Sequence, residues 1–146
     1  MTPDELFRIC NLTAAAGWIV LIFLGTRRWA ADLVTGFVLP GILAVLYTAL
    51  VATHWGETPG GFGTLAGVAS LFTNRWMLLA GWVHYLAFDL FIGSWEVRDA
   101  RQNGVPHLLV VPSLGLTFFF GPAGLLLYLA TRAASRLRRP AAVTSS

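Results

Sequence analysis

Apolar residues run almost unbroken through four stretches of the chain, approximately Leu6 to Gly25, Val34 to Thr53, Trp76 to Trp95 and Leu108 to Thr131. Each reaches the ~20 residues that a helix rising ~1.5 Å per residue needs to cross about 30 Å of hydrocarbon. The pattern predicts an all-α integral membrane protein with four transmembrane helices in a single transmembrane domain over residues 1–146. Between the second and third runs, Gly56-Glu57-Thr58-Pro59-Gly60-Gly61-Phe62-Gly63 reads as a loop. Thr64 to Thr73 then places Leu65, Val68, Ala69 and Phe72 on one helical face. That segment is too short to span, so an interfacial or re-entrant helix is expected there. Residues 132–146 form an Arg-rich tail, expected to be flexible.

Small residues and prolines punctuate the spans. Thr13 and Gly17, with Ala14, Ala15 and Ala16, keep the first run slim enough for close helix packing. Pro40-Gly41 predicts a bend or a freed carbonyl in the second, and Pro112 a kink in the fourth, because proline removes a backbone donor. Gly121-Pro122-Ala123-Gly124 reads as a further slim surface within that fourth run.

Composition agrees: 56% of residues are hydrophobic and only 12% charged, against the ~25% charged of an ordinary soluble domain. All ten basic residues are arginines. Arg8, Arg132, Arg136, Arg138 and Arg139 favour both termini on the cytoplasmic side of an inner (plasma) membrane, opposed by Arg27, Arg28, Arg98 and Arg101. The tail lacks interleaved aromatics, so anionic lipid and not nucleic acid is its expected partner. The glycine-rich loop has no Lys-Ser/Thr and follows a membrane helix, which argues against a phosphate cradle. The lone Cys10 sits at the membrane edge and cannot form an internal disulfide.

Chemistry concentrates in the third run. Asp89 lies deep within it, where a carboxylate costs roughly 2.5 to 3.5 kcal/mol even on lenient insertion scales, so a use for it is expected. At ~100° and ~1.5 Å per residue, Glu96 falls about 20° from Asp89 in azimuth and about 10 Å along the axis, with Trp82, Tyr85 and Gly93 near the same line. His84 falls roughly 140° away, so it cannot act directly with Asp89 from one straight helix. Arg98 and Arg101 read as a solvated helix end, and Gly104 with Val105-Pro106 as its stop. The bland alternatives are a histidine bonded to a neighbouring helix and, for Asp89, a helix-to-helix bond to Asn11, Thr13, Tyr47 or Ser113, worth about 1 kcal/mol.

The run Gly81-Trp82-Val83-His84-Tyr85-Leu86-Ala87-Phe88-Asp89-Leu90-Phe91-Ile92-Gly93, with Glu96, Asp99, His107, Pro112 and Gly121-Pro122-Ala123-Gly124-Leu125, resembles the abscisic-acid-deficient-four-like family of small membrane proteins. The resemblance covers nearly the whole chain in layout and is most specific from about Trp76 to Tyr128. Plant members are required for converting violaxanthin to neoxanthin, so the resemblance implies a membrane protein linked to carotenoid or isoprenoid chemistry.

Opening an epoxide to an allenic alcohol needs one group to protonate oxygen and another to take a proton from carbon, with no redox cofactor. A cofactor-independent isomerase of a lipid-soluble polyene is therefore the leading expectation, with Asp89 as acid and His84 or Glu96 as partner. Tyr85, Phe88, Trp82, Trp95, Phe118, Asp99 and His107 are the expected substrate-binding residues. A divalent metal on His84, Asp89, Glu96, Asp99 and His107 is disfavoured, since no His-x-x-x-His spacing is present. A non-catalytic carotenoid- or lipid-binding assembly factor, or a transporter subunit, is the alternative. The small-residue faces also suit a homo-oligomer.

Overall fold

The computed structural model describes residues 1–137. Helix α1 (Pro3–Leu24) starts at a capping box in which Thr2 and Glu5 satisfy each other's backbone amides, with Pro3 in the first turn. A π-helical segment, Trp29–Val38, runs directly into α2 (Leu39–His54). Pro40 sits at the start of α2 and has no amide to give to the preceding turn, and the widened π turns lie immediately before it. The bend expected at Pro40-Gly41 thus takes the form of a changed helical winding. After the loop comes the short α3 (Leu65–Leu71), capped by Thr64. Asn74 caps the long α4 (Arg75–Gln102), followed by α5 (His107–Phe120) and α6 (Pro122–Leu137).

Three helical rods are long and apolar enough to cross a membrane: Pro3–Leu24, Trp29–Glu57 and Arg75–Gln102. The central one is α4, as contacts at both its ends and its middle show. Asp4 pairs with Arg75, Asn11 accepts from Trp82, and Trp18 and Leu21 close on Gly93, so α1 runs parallel to α4. His54 stacks on Trp76 and Thr35 meets Ser94, so α2 and its π-helical lead run antiparallel to it. Two apolar clusters fill the bundle, one around Trp18, Leu21, Leu90 and Leu114, the other around Ala14, Leu43, Leu79 and Val83.

The single fourth span expected over 108–131 is not formed. Gly121 adopts φ +45 and ψ −98, a conformation open to glycine and not to L side chains, and it separates α5 from α6. The two helices then fold back on each other: a Cβ added at Gly124 would lie 2.1 Å from both the backbone N and Oγ1 of Thr117. At 14 and 16 residues they are about 21 and 24 Å long, short of a ~30 Å hydrocarbon layer. His107, at the start of α5, bonds the Ile22 carbonyl, and Arg136, near the end of α6, bonds Asn103. Both ends of the hairpin therefore lie at the end of the bundle where α4 finishes, and its tip lies against the middle of α4. The first residue of α1 and the last described residue of α6 sit at opposite ends of the bundle. The expectation of termini on a shared side rested on a fourth crossing that the hairpin replaces. Residues 132–137 continue α6 instead of beginning a tail, and the rest of the expected tail, 138–146, lies outside the described residues.

Candidate functional site under the helical hairpin

Asp89 is 91% buried, 9% of its surface remaining exposed, and it faces the hairpin tip. A Cβ placed on Gly121 would stand 2.9 Å from its Oδ1 and 3.3 Å from its Oδ2, so the glycine lets the turn seat directly on the carboxyl group. Its Oδ2 is buried without a hydrogen-bond partner. Tyr85, one turn earlier on α4, donates from its hydroxyl to the Phe118 carbonyl at 3.1 Å and lies beside the Asp89 carboxyl. That bond satisfies one of the carbonyls that the end of α5 leaves unpaired.

Two turns further along α4, Glu96 is wholly buried. Thr117 of α5 donates to its Oε1 at 3.0 Å, while Oε2 has no partner. Thr117 also accepts from the Gly121 amide at 2.8 Å through its carbonyl, so this one turn of α5 touches the surroundings of both acids. Ser113, one turn back on the same face of α5, is buried with its hydroxyl unpartnered. Asp99 follows nearer the bundle end, accepting from the Tyr128 hydroxyl and pairing with Arg132 at 3.1 Å. The interface between α4 and the hairpin is thus a polar file in an otherwise apolar molecule.

The other expected site residues are dispersed. His84 is exposed and lies between the rings of Tyr47 and Phe88 on the α2 side of α4, so the structure does not bring it to Asp89. Phe88 lines a separate shallow apolar groove of about 340 Å³ with Phe37, Pro40 and Phe91. Trp95 packs edge-on against Tyr128, and His107 is held at the bundle end by Ile22. Trp82, Tyr85 and Phe118 do come together. Trp82 and Tyr85 form the wall of two cavities, one of about 560 Å³ against Phe7, Phe72 and Leu78, the other of about 400 Å³ against Asn11, Ala15 and Phe118. Together these make an apolar groove along α1 and α4 that ends at the hairpin tip. Tyr85, not Asp89, forms its wall.

Arg98 and Arg101 are not simply solvated. Arg98 reaches the Ala31 carbonyl at 3.2 Å, a group presented by the π-helical segment, and its guanidinium lies 5.7 Å from the centre of the Phe91 ring. Arg101 pairs with Asp32 at 2.6 Å. Among the described residues, no three His, Cys, Asp or Glu side chains converge as a metal site requires.

Sequence reasoning passed over Thr117, Tyr128 and the turn at Gly121. The signal for the turn was there: Gly-Pro is a turn dipeptide, and proline suits the first position of a new helix. Nothing local marked Thr117, whose part depends on a fold-back that only the turn creates.

Comparison with known proteins bears on this layout. A family model described as ABA DEFICIENT 4-like matches residues 5–128. The chain belongs to the ABA4-like family. The match takes in α1 through the first half of α6, and so every residue of the polar file except Arg132. No curated protein and no solved structure matches this ABA4-like chain.

Proposed function

We propose that this membrane protein binds a long apolar terpenoid of the carotenoid type in the groove between α1 and α4 and rearranges it by acid–base chemistry at the hairpin tip. The carrying observation is Tyr85: its ring walls the groove while its hydroxyl meets the tip beside buried Asp89. A lipid-soluble guest enters such a groove sideways from the bilayer. In an epoxide-opening rearrangement, Asp89 supplies the proton, Tyr85 passes it to the ring oxygen, and the charge builds where water is excluded. The proton lost from carbon returns to the Asp89 carboxylate and from there reaches Glu96, which is wholly buried and lines neither cavity. Membership of the ABA4-like family supports the carotenoid link.

The arginines support an orientation. Arg27, Arg28, Arg98, Arg101, Arg132 and Arg136 lie toward the end of the bundle where the hairpin enters, against Arg8 and Arg75 toward the other. The four arginines that oppose a cytoplasmic C-terminus in a four-span layout join it here. The arginine-rich end is then cytoplasmic and the N-terminus faces away.

A binding or assembly role without turnover is the second reading, favoured by the seal that the tip places over Asp89. Expression in a carotenoid-producing host, with pigment profiling, separates the two. Catalysis predicts a new pigment with the unmodified protein that is lost in Asp89→Asn and reduced in Tyr85→Phe. Pigment that copurifies unchanged from all three points to binding, and no altered or copurifying pigment overturns both readings.

A further inference from the structure

The polar file does not stop at Asp89 and Glu96; it continues to the arginine-rich end of the bundle, well past anything the groove touches. We propose that Asp89, Glu96 and Asp99, lined by Thr117 and Ser113 of the hairpin, form a proton path between mid-bundle and that end. The proposal stands whether or not a terpenoid is the guest. Three observations carry it.

First, the acids share one side of α4. Asp89 to Glu96 is about 10.5 Å of axial rise and Glu96 to Asp99 about 4.5 Å, so a proton crosses the longer step only by way of hydroxyls and water between the carboxyls. Second, the file contains buried oxygens with valence to spare: Oδ2 of Asp89, Oε2 of Glu96 and Oγ of Ser113 are enclosed and unpartnered. Packing alone does not account for them, since an unmet buried polar atom costs about 1–3 kcal/mol and an apolar side chain of similar shape avoids it. Third, the file has a wet mouth. The Asp99 and Arg132 side chains retain 12% and 25% of their exposure where α4 and α6 emerge.

The groups around the path are few. Asp89 faces Tyr85 of its own helix and the uncharged tip of the hairpin. Glu96 faces Thr117 of α5 and has Tyr128 of α6 nearby. Asp99 faces Tyr128 and Arg132 of α6, with Asn103 bonded to its carbonyl. Against α4 from the other side, Thr35 bonds only Ser94 and the Ala30 carbonyl. A proton accepted at the mouth moves to Glu96 as the O–H bond at its donor breaks, then from Glu96 to Asp89 through water, each carrier giving up one O–H bond as it gains another. Each carboxylate returns to its starting state when the proton leaves toward either end, so charge balances without another reactant.

Infrared difference spectroscopy on proteoliposomes tests this by following exchange of the Asp89 carboxyl proton after a switch to heavy water. The band is identified by its loss in Asp89→Asn. Exchange is expected to slow roughly tenfold or more in both Glu96→Leu and Glu96→Gln. Glutamine preserves the shape and still accepts from Thr117, so a purely structural Glu96 would show normal exchange in that variant. His84→Ala, on the α2 side of α4 and away from Asp89, is expected to leave the rate unchanged. Wild-type exchange in Glu96→Gln, equal slowing by His84→Ala, or no Asp89-dependent band would each overturn the path.

Discussion

Gly121→Ala offers a direct test of the hairpin, because two separate costs meet at one atom. The backbone there, at φ +45 and ψ −98, is outside the range an alanine adopts freely, a strain of about 1–3 kcal/mol. The new Cβ would also sit 2.9, 3.3 and 3.4 Å from Oδ1, Oδ2 and Cγ of Asp89, and crowding of this kind costs about 1–3 kcal/mol. The expected loss is therefore roughly 2–6 kcal/mol, a large part of the ~5–15 kcal/mol that typically holds a domain together. Cys10 is the only thiol and is 2% exposed on α1, remote from the turn, so its reaction with a thiol-sensitive dye on heating in detergent reports unfolding of the bundle. Repeating the substitution in an Asp89→Ala background separates the terms. The collision vanishes there and the backbone strain stays, giving a coupling of about 1–3 kcal/mol. A Gly121→Ala protein as stable as its parent would refute the turn, and the same loss in both backgrounds would refute the contact with Asp89.

Gly124→Ala should be at least as damaging, since its Cβ would meet the Thr117 backbone as well as its hydroxyl, and the backbone cannot swing aside. Gly41→Ala and Gly115→Ala, with nothing within 4 Å, should instead gain about 0.5–1 kcal/mol in the same melt. In a Cys10→Ser background, Thr2→Cys and Leu137→Cys should label from opposite faces of sealed vesicles, and labelling from one face would refute the fold-back. Arg101→Ala removes an ion pair that is 31% and 42% exposed, so its effect should be about 0.2–1 kcal/mol and shrink in added salt.

How far the chain could be read before its structure was known depended on the range of each signal. The first three long helices follow from apolar run length, and α3 from a run too short to span. The alignment of Asp89, Glu96 and Tyr85 follows from α-helical period alone, as does the separation of His84. Run length failed over 108–131 because a continuous span and two half-length helices have the same composition. Conformation at the single residue Gly121 decides between them, and that decision also sets which end of the bundle Arg132 and Arg136 share. Arg98 and the π-helical segment were out of reach for a related reason: the carbonyl that Arg98 finds at Ala31 belongs to a helix 67 positions away.

Because α5 and α6 enter and leave at the same end, the chain from Gln102 to Leu137 begins and finishes on one side of the bundle. All three long helices are made before the acids of α4 are covered. Synthesis runs from the N-terminus, so α4 must wait, its carboxyl groups unshielded, for about 30 further residues to arrive and dock against it. The later-made hairpin is the lid on these costly side chains, and a ribosome that stops at Gly104 leaves behind a bundle with an open polar seam.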